Sequence, residues 1–214
     1  EAIIAAIASP AVLLKTKDGG VHWYPVYENN DTAMFLDAID FKNDKEGLVI
    51  GDPINNHIFL LSTSDKGEHW NQMDPQYFKN KLHEGEAFFA SSSSNIAQRS
   101  NQVFLITGGV KSRLWINGIA KELPILQGTS STGANSIAIA PNGNKMIIVG
   151  GDFSNPFNES NNVVGLSLFL SISGNRKHLS DQKAFWNLNE KTGHLHGYKS
   201  SVVFITNKKV IACG

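Results

Sequence analysis

The stretch SDKGEHW, residues 64–70, decides the fold because the chain writes it twice. KDGGVHW at residues 17–23 keeps the same five-residue step from Asp to Trp, the same Gly two residues after the Asp and the same His before the Trp. Each copy follows an apolar run ending in Thr, AVLLKT before the first and IFLLST before the second, and Asp18 and Asp65 lie 47 residues apart. In such a turn the Asp accepts hydrogen bonds from backbone N–H groups just ahead of it, and the Gly supplies a positive φ. The Trp opens the return strand and is expected to bury its ring. A hairpin repeated at this period predicts units of four short strands, and units of that kind build propellers or solenoids. Asp18, Gly20, Trp23, Asp65, Gly67 and Trp70 are therefore read as architecture, not as chemistry.

The remaining chain divides on the same plan. Residues 2–8, 11–16 and 22–27 predict three strands, and residues 34–41, 48–50, 57–62 and 69–73 a complete four-stranded unit. After a polar connector, residues 87–91, 103–107, 113–116 and 119–123 predict another, with Asn117-Gly118 marking a two-residue type I′ turn. Residues 135–140, 146–150 and 166–172 lead to SDQKAFW, where Asp181 and Trp186 keep the five-residue step but Lys183 replaces the Gly. GDFSNPFNESNN, residues 151–162, has loop chemistry, and residues 198–205 and 210–213 give two last strands. Helical periodicity is absent, so the expectation is all-β: one β-propeller domain over residues 1–214, built of four-stranded antiparallel blades. The 17 predicted strands do not fill whole blades, which reads as about four to five of roughly seven blades, incomplete at one or both ends.

Composition narrows the partners. Nineteen Lys and Arg balance nineteen Asp and Glu, which argues against nucleic acid or an anionic membrane surface. The single cysteine, Cys213, sits in an apolar run, and no internal disulfide can form. EAIIAAIASP at the start has the apolar core of a signal peptide but no basic leader, and is read as a strand; no run reaches the ~18 apolar residues of a membrane helix.

Six residues have no evident structural duty. Asp37, Asp52, Glu86, Arg113, Asp152 and Tyr198 fall at strand edges, one or two per repeat, where inner strands of successive blades bring distant residues together. One reading makes Asp37, Asp52 and Asp152 turn caps and Glu86–Arg113 an ion pair between blades. The other makes a ligand site, with Glu86, Asp37, Asp52 and Asp152 as candidate acids or bases, Arg113 as anion holder and Tyr198 as part of the wall. Two carboxylates suit a glycosidase, but a sialidase needs converging arginines, and Arg99 and Arg176 lie in Ser/Asn-rich loops. His194 and His196 share a strand face without a third ligand nearby, so no metal is assigned. No glycine-rich dinucleotide motif opens a helix, and no cofactor is expected. Asn30-Asp31-Thr32 and Asn158-Glu159-Ser160 match glycosylation acceptors.

The ordered set KTKDGGVHW, FLDAIDF, EGLVIGDP, STSDKGEHW, GEAFFASSSS, ITGGVKSR, NSIAIA, VGGD and GYKS resembles the Asp-box propellers related to photosystem II stability and assembly factors. The likeness runs from about residue 11 to residue 214 and is nearest to the non-photosynthetic bacterial branch, whose members often carry oxidoreductase or glycosyl hydrolase names. It implies a propeller of about seven blades outside the cytoplasm, periplasmic or secreted, that binds a protein partner or helps assemble one. The alternative it leaves is a carbohydrate-active enzyme acting on a glycan.

Overall fold

The computed structural model describes residues 1–6, 10–172, 182–193 and 195–214, with the backbone alone for 169–172 and 182–193. Among these, every extended element is antiparallel and the only helices are two single 3-10 turns, Pro75–Tyr77 and Ala90–Ser92. The chain is an array of propeller blades. Blade 1 holds β1 (Ala2–Ala5), β2 (Ala11–Thr16) and β3 (Tyr24–Asn29). Blade 2 runs β4 (Leu36–Phe41), β5 (Gly47–Ile54), β6 (His57–Thr63) and β7 (Asn71–Gln72) in sequence order.

In blade 3, β8 (Glu86–Ala87) and β9 (Ile96–Arg99) both pair with β10 (Gln102–Gly109), which leads to β11 (Arg113–Ile116) and β12 (Ile119–Glu122). Blade 4 is β13 (Thr132–Ile139), β14 (Lys145–Asp152), β15 (Val163–Ile172) and β16 (Gln182–Gly193). β13 pairs with β10 at Gly108 and Gly133, and this pairing joins blades 3 and 4 into one nine-stranded sheet among the described residues. β17 (Ser201–Phe204) and β18 (Val210–Cys213) make blade 5.

The period-2 pattern sets the core. Because successive side chains of a strand face opposite ways, a blade packed on both sides needs apolar residues at every position. On β10, Phe104 and Ile106 pack toward Ile137, Met146 and Ile148 of blade 4, whereas Leu105 packs toward Ile50 and Leu60 of blade 2. On β5 the same alternation sends Ile50 toward blade 3 and Val49 toward Leu13 of blade 1. Val149, Val163 and Val202 join blades 4 and 5. The core is thus a row of layers between blades, each fully buried side chain contributing ~1.5–3 kcal/mol.

The repeated turn folds as its residues dictate. Thr16 Oγ1 and Thr63 Oγ1 accept the N–H of Gly20 and Gly67, and Asp18 Oδ1 and Asp65 Oδ1 accept the N–H of His22 and His69. In both copies the His Nδ1 lies 2.7 Å from the other carboxylate oxygen. Both Trp indoles donate to the carbonyl of the turn glycine, at 3.1 Å in the first copy and 3.2 Å in the second. The expected burial holds for Trp70, at 8% exposure, but Trp23 is 38% exposed. Trp70 meets Phe41 edge-on at 6.0 Å, and Phe41 ends β4, the inner strand of blade 2. Blade 1's three strands match β5, β6 and β7, and among the described residues no strand stands against Trp23 as β4 stands against Trp70.

Two further expectations need correction or completion. Residues 87–91 do not form a strand. The inner strand of blade 3 breaks after Ala87, passes through the Ala90–Ser92 turn and an αL residue, Ser93, and resumes at Ile96. The serines then tie blades together. Ser93 Oγ accepts the N–H of Ile39 in blade 2; Ser91 Oγ donates to Asn135, and Ser94 Oγ meets Ser136 Oγ at 2.7 Å, both in blade 4. Ser136 Oγ accepts in turn the N–H of Val202 in blade 5. The Asn117-Gly118 turn is as expected, with φ of 49° and 79°. Asp181 lies outside the described residues, and the backbone places Trp186 opposite Leu168 in the β15–β16 ladder.

Candidate functional site

In an antiparallel blade the start of the first strand, the end of the second and the start of the third share one end. Asp37 lies near the start of β4 and Asp52 near the end of β5; Glu86 opens β8, Arg113 opens β11, Asp152 ends β14 and Tyr198 precedes β17. All six are therefore at one end of the array, the inner-strand mouth, opposite the end that carries the Asp18 and Asp65 turns.

Glu86 and Arg113 are joined. Arg113 Nε donates to Glu86 Oε1 at 2.8 Å and Nη2 to Oε2 at 2.5 Å, a two-pronged pair in which both residues are buried. Thr107 Oγ1 donates to Oε1 at 2.5 Å and the His83 N–H to Oε2 at 3.0 Å. Arg113 also donates to the Lys81 carbonyl and lies 4.5 Å from the centroid of the Trp115 ring. Both partners belong to blade 3, so the pair closes one blade and does not bridge two. A buried pair of this kind repays desolvation only when its lone pairs and protons are taken up, and here both Glu86 oxygens and the Nε and Nη2 of Arg113 have partners.

Asp37 is different. It is 5% exposed, and its Oδ2 has no hydrogen-bond partner. Burial, with Asp52's charge beside it as the smaller cause, pushes its carboxyl up to about 8. Burial also raises Asp52, whose backbone N–H is bound to the Phe35 carbonyl at 2.8 Å. Asp152 caps its own turn, Oδ1 accepting the Ser154 N–H at 2.9 Å. The Tyr198 hydroxyl donates to Asn135 Oδ1 at 3.0 Å. Burial raises this phenol, opposed by a hydrogen bond with Ser91. The Tyr198 ring meets Phe153 edge-on at 6.4 Å, and Phe153 meets Phe89 at 5.9 Å. The mouth thus gathers three local groups, Glu86–Arg113, Asp37–Asp52 and Tyr198–Asn135, and among the described residues no hydrogen bond links one group to another.

Asn95 and Asn135 were not singled out in the sequence, yet they occupy the register position of Asp37. On β4 the ladder slips between Leu36 and Ala38, leaving Asp37 bulged; on β13 it slips between Ala134 and Ser136, leaving Asn135 bulged. Asn95 precedes Ile96, whose partner on β10 is Leu105, and its carbonyl accepts the Ile106 N–H. Aligning LDAI, NIAQ and NSIA on this position would have shown it. Elsewhere, Arg99 donates to the Pro141 carbonyl, and Arg176 and His194 lie outside the described residues. His196 Nδ1 lies 2.5 Å from Glu159 Oε1, and no group of three metal-ligating side chains occurs among the described residues. At the opposite end, Ile3, Lys15, Phe41 and Lys66 line a recess of about 550 Å³, where the Lys15 ammonium is bound to the Lys66 carbonyl and Glu68.

Comparison with known proteins agrees with the sequence likeness. Residues 6–82 match the family model of the photosynthesis system II assembly factor YCF48. Over 65 residues the chain is 42% identical to the photosystem II stability/assembly factor HCF136, chloroplastic, of Arabidopsis thaliana, an overlap of 28% of this chain and 15% of that protein. A solved structure titled YCF48 bound to D1 peptide aligns with 94% of this chain and 53% of its own, at 18% identity and a TM-score of 0.45. The chain therefore spans about half of that solved chain and a small part of the curated relative. It is a β-propeller resembling the photosystem II stability and assembly factors. No helix among the described residues is long and apolar enough to cross a membrane.

Proposed function

We propose that the chain is part of a non-catalytic propeller that binds a protein partner, in the manner of an assembly or stability factor, outside the cytoplasm. The observation that carries this reading is the state of the mouth charges. Arg113, the one mouth arginine among the described residues, commits Nε and Nη2 to Glu86 and the Lys81 carbonyl and lies against the Trp115 face, so these donors hold blade 3 together and do not face a substrate anion. The sequence likeness over residues 6–82 supplies the class of function. A glycoside hydrolase would need two carboxyl groups open to a sugar, and Asp37, whose carboxyl burial raises, has its free oxygen sealed from solvent.

The test pairs two assays on the purified chain: turnover of a panel of aryl glycosides and binding to an arrayed peptide library. Peptide binding without turnover, retained in the Glu86→Gln, Arg113→Met double variant, is expected. Glycoside turnover that disappears on Glu86→Gln would replace this reading with the hydrolase.

A further inference from the structure

Three blades place a short polar side chain at one register position of the inner strand, and two of the three choose an amide. Asn135 Nδ2 donates to the carbonyl of Gly133, two residues back, and Asn95 Nδ2 donates to the carbonyl of Phe89. The surrounding backbone repeats too. A Cβ on Gly51 would stand 2.6 Å from the Phe35 carbonyl oxygen, and one on Gly150 would press still closer on the Gly133 carbonyl. In each case that carbonyl lies two residues before the bulged side chain. The position therefore calls for a hydrogen-bond donor aimed at a backbone carbonyl, which an amide always supplies. A carboxylate cannot supply it, whereas a carboxylic acid can.

We propose that Asp37 is a proton-operated latch: protonated, it donates to the Phe35 carbonyl as Asn135 does to Gly133, and on ionisation it lets go of the mouth end of blade 2. The unpartnered Oδ2 is then the protonated oxygen. Among the described residues nothing packed against it supplies a counter-cation. Asp52 on β5 is the charge that reaches it, and it repels. β4 itself adds only Asp40, bound to Gln98; β1 and the Ala90–Ser92 turn carry no charge; β9 carries Arg99, turned to Pro141 in blade 4. Burial raises the folded-state carboxyl to about 8, against an unfolded value near 4. The sign follows: the latch contributes its full stability below pH ~4, contributes less as pH rises although it stays protonated in the folded chain, and contributes nothing above about 8.

The test is amide hydrogen exchange of β4 and β5 from pH 5 to 9, corrected for intrinsic rates, in the whole chain and in Asp37→Asn. In the parent the opening constant is expected to rise by up to tenfold per pH unit up to about pH 8 and then level off. In Asp37→Asn that dependence disappears while protection at pH 8 increases, because the amide donates at every pH. An unchanged slope in the variant overturns the proposal. Direct carbon NMR titration of the Asp37 carboxyl in the parent decides the matter even if the variant fails to fold, and a midpoint near 4 refutes the latch.

Discussion

Trp23 and Trp70 close the same turn with the same hydrogen bonds, yet one is 38% exposed and the other 8%. The two turns share the Thr acceptor, the Asp carboxylate, the His contact and the indole-to-glycine bond. What differs is one strand: β4 delivers Phe41 to Trp70, and among the described residues no strand delivers a counterpart to Trp23. Local sequence therefore fixes the shape of the turn, and the neighbouring inner strand fixes how much the ring stabilises.

The sharpest way to break that comparison is to empty both ring sites. Trp70→Ala is expected to cost ~3–5 kcal/mol in chemical denaturation and Trp23→Ala no more than ~1 kcal/mol, since only the first leaves a core cavity. Equal losses would mean the turn, not the packing, makes the energy. A smaller contrast lies at the glycines. At Gly67, φ is +77° and an added Cβ would stand 2.2 Å from Ile3 Cδ1 and 3.2 Å from the Trp70 ring; at Gly20, φ is +95° and nothing lies nearer than 3.7 Å. Gly20→Ala should lose ~1 kcal/mol for the left-handed backbone, and Gly67→Ala more, by the shift forced on Ile3.

The smallest effect is one the two copies share. The backbone and side-chain bonds of His22, then Thr16, hold the Asp18 carboxyl down to about 2, and those of His69, then Thr63, hold Asp65 well below the usual range. Depressed carboxyls contribute above their unfolded value near 4 and lose that contribution as pH falls through the folded one. Melting midpoints should thus drop between pH 4 and 2, and Asp18→Asn with Asp65→Asn should flatten the drop. Asp37 acts in the opposite direction, so the pH of greatest stability should move upward in Asp37→Asn.

Legibility followed the range of the interactions. The Asp turns and the Asn117-Gly118 turn were readable because every determinant lies within eight consecutive residues. Strand positions were readable because packing between blades makes both faces apolar. The inner strand of blade 3 was not: AFFASSSSN has no period to follow, and its serines find partners on Ile39, Asn135 and Ser136, 42 to 54 residues away. At the mouth, Glu86 and Arg113 could be named as charges needing partners. That they meet within one blade, fastened by Thr107 and Lys81, depends on strand register that no local pattern encodes. The equivalence of Asp37 with Asn95 and Asn135 needs the bulges on β4 and β13 and the Ile96–Leu105 register to show which residues to align.

Glu86 and Arg113 are held to fasten blade 3 at the mouth. Urea unfolding of the parent, Glu86→Gln, Arg113→Met and the double variant tests it most directly. Each single change should lose ~3–5 kcal/mol, because it strands a buried partner, and the double should lose much less than the sum. Single losses below ~1 kcal/mol that simply add would show two charges that do not depend on each other, and the mouth would then have to be read as a binding site.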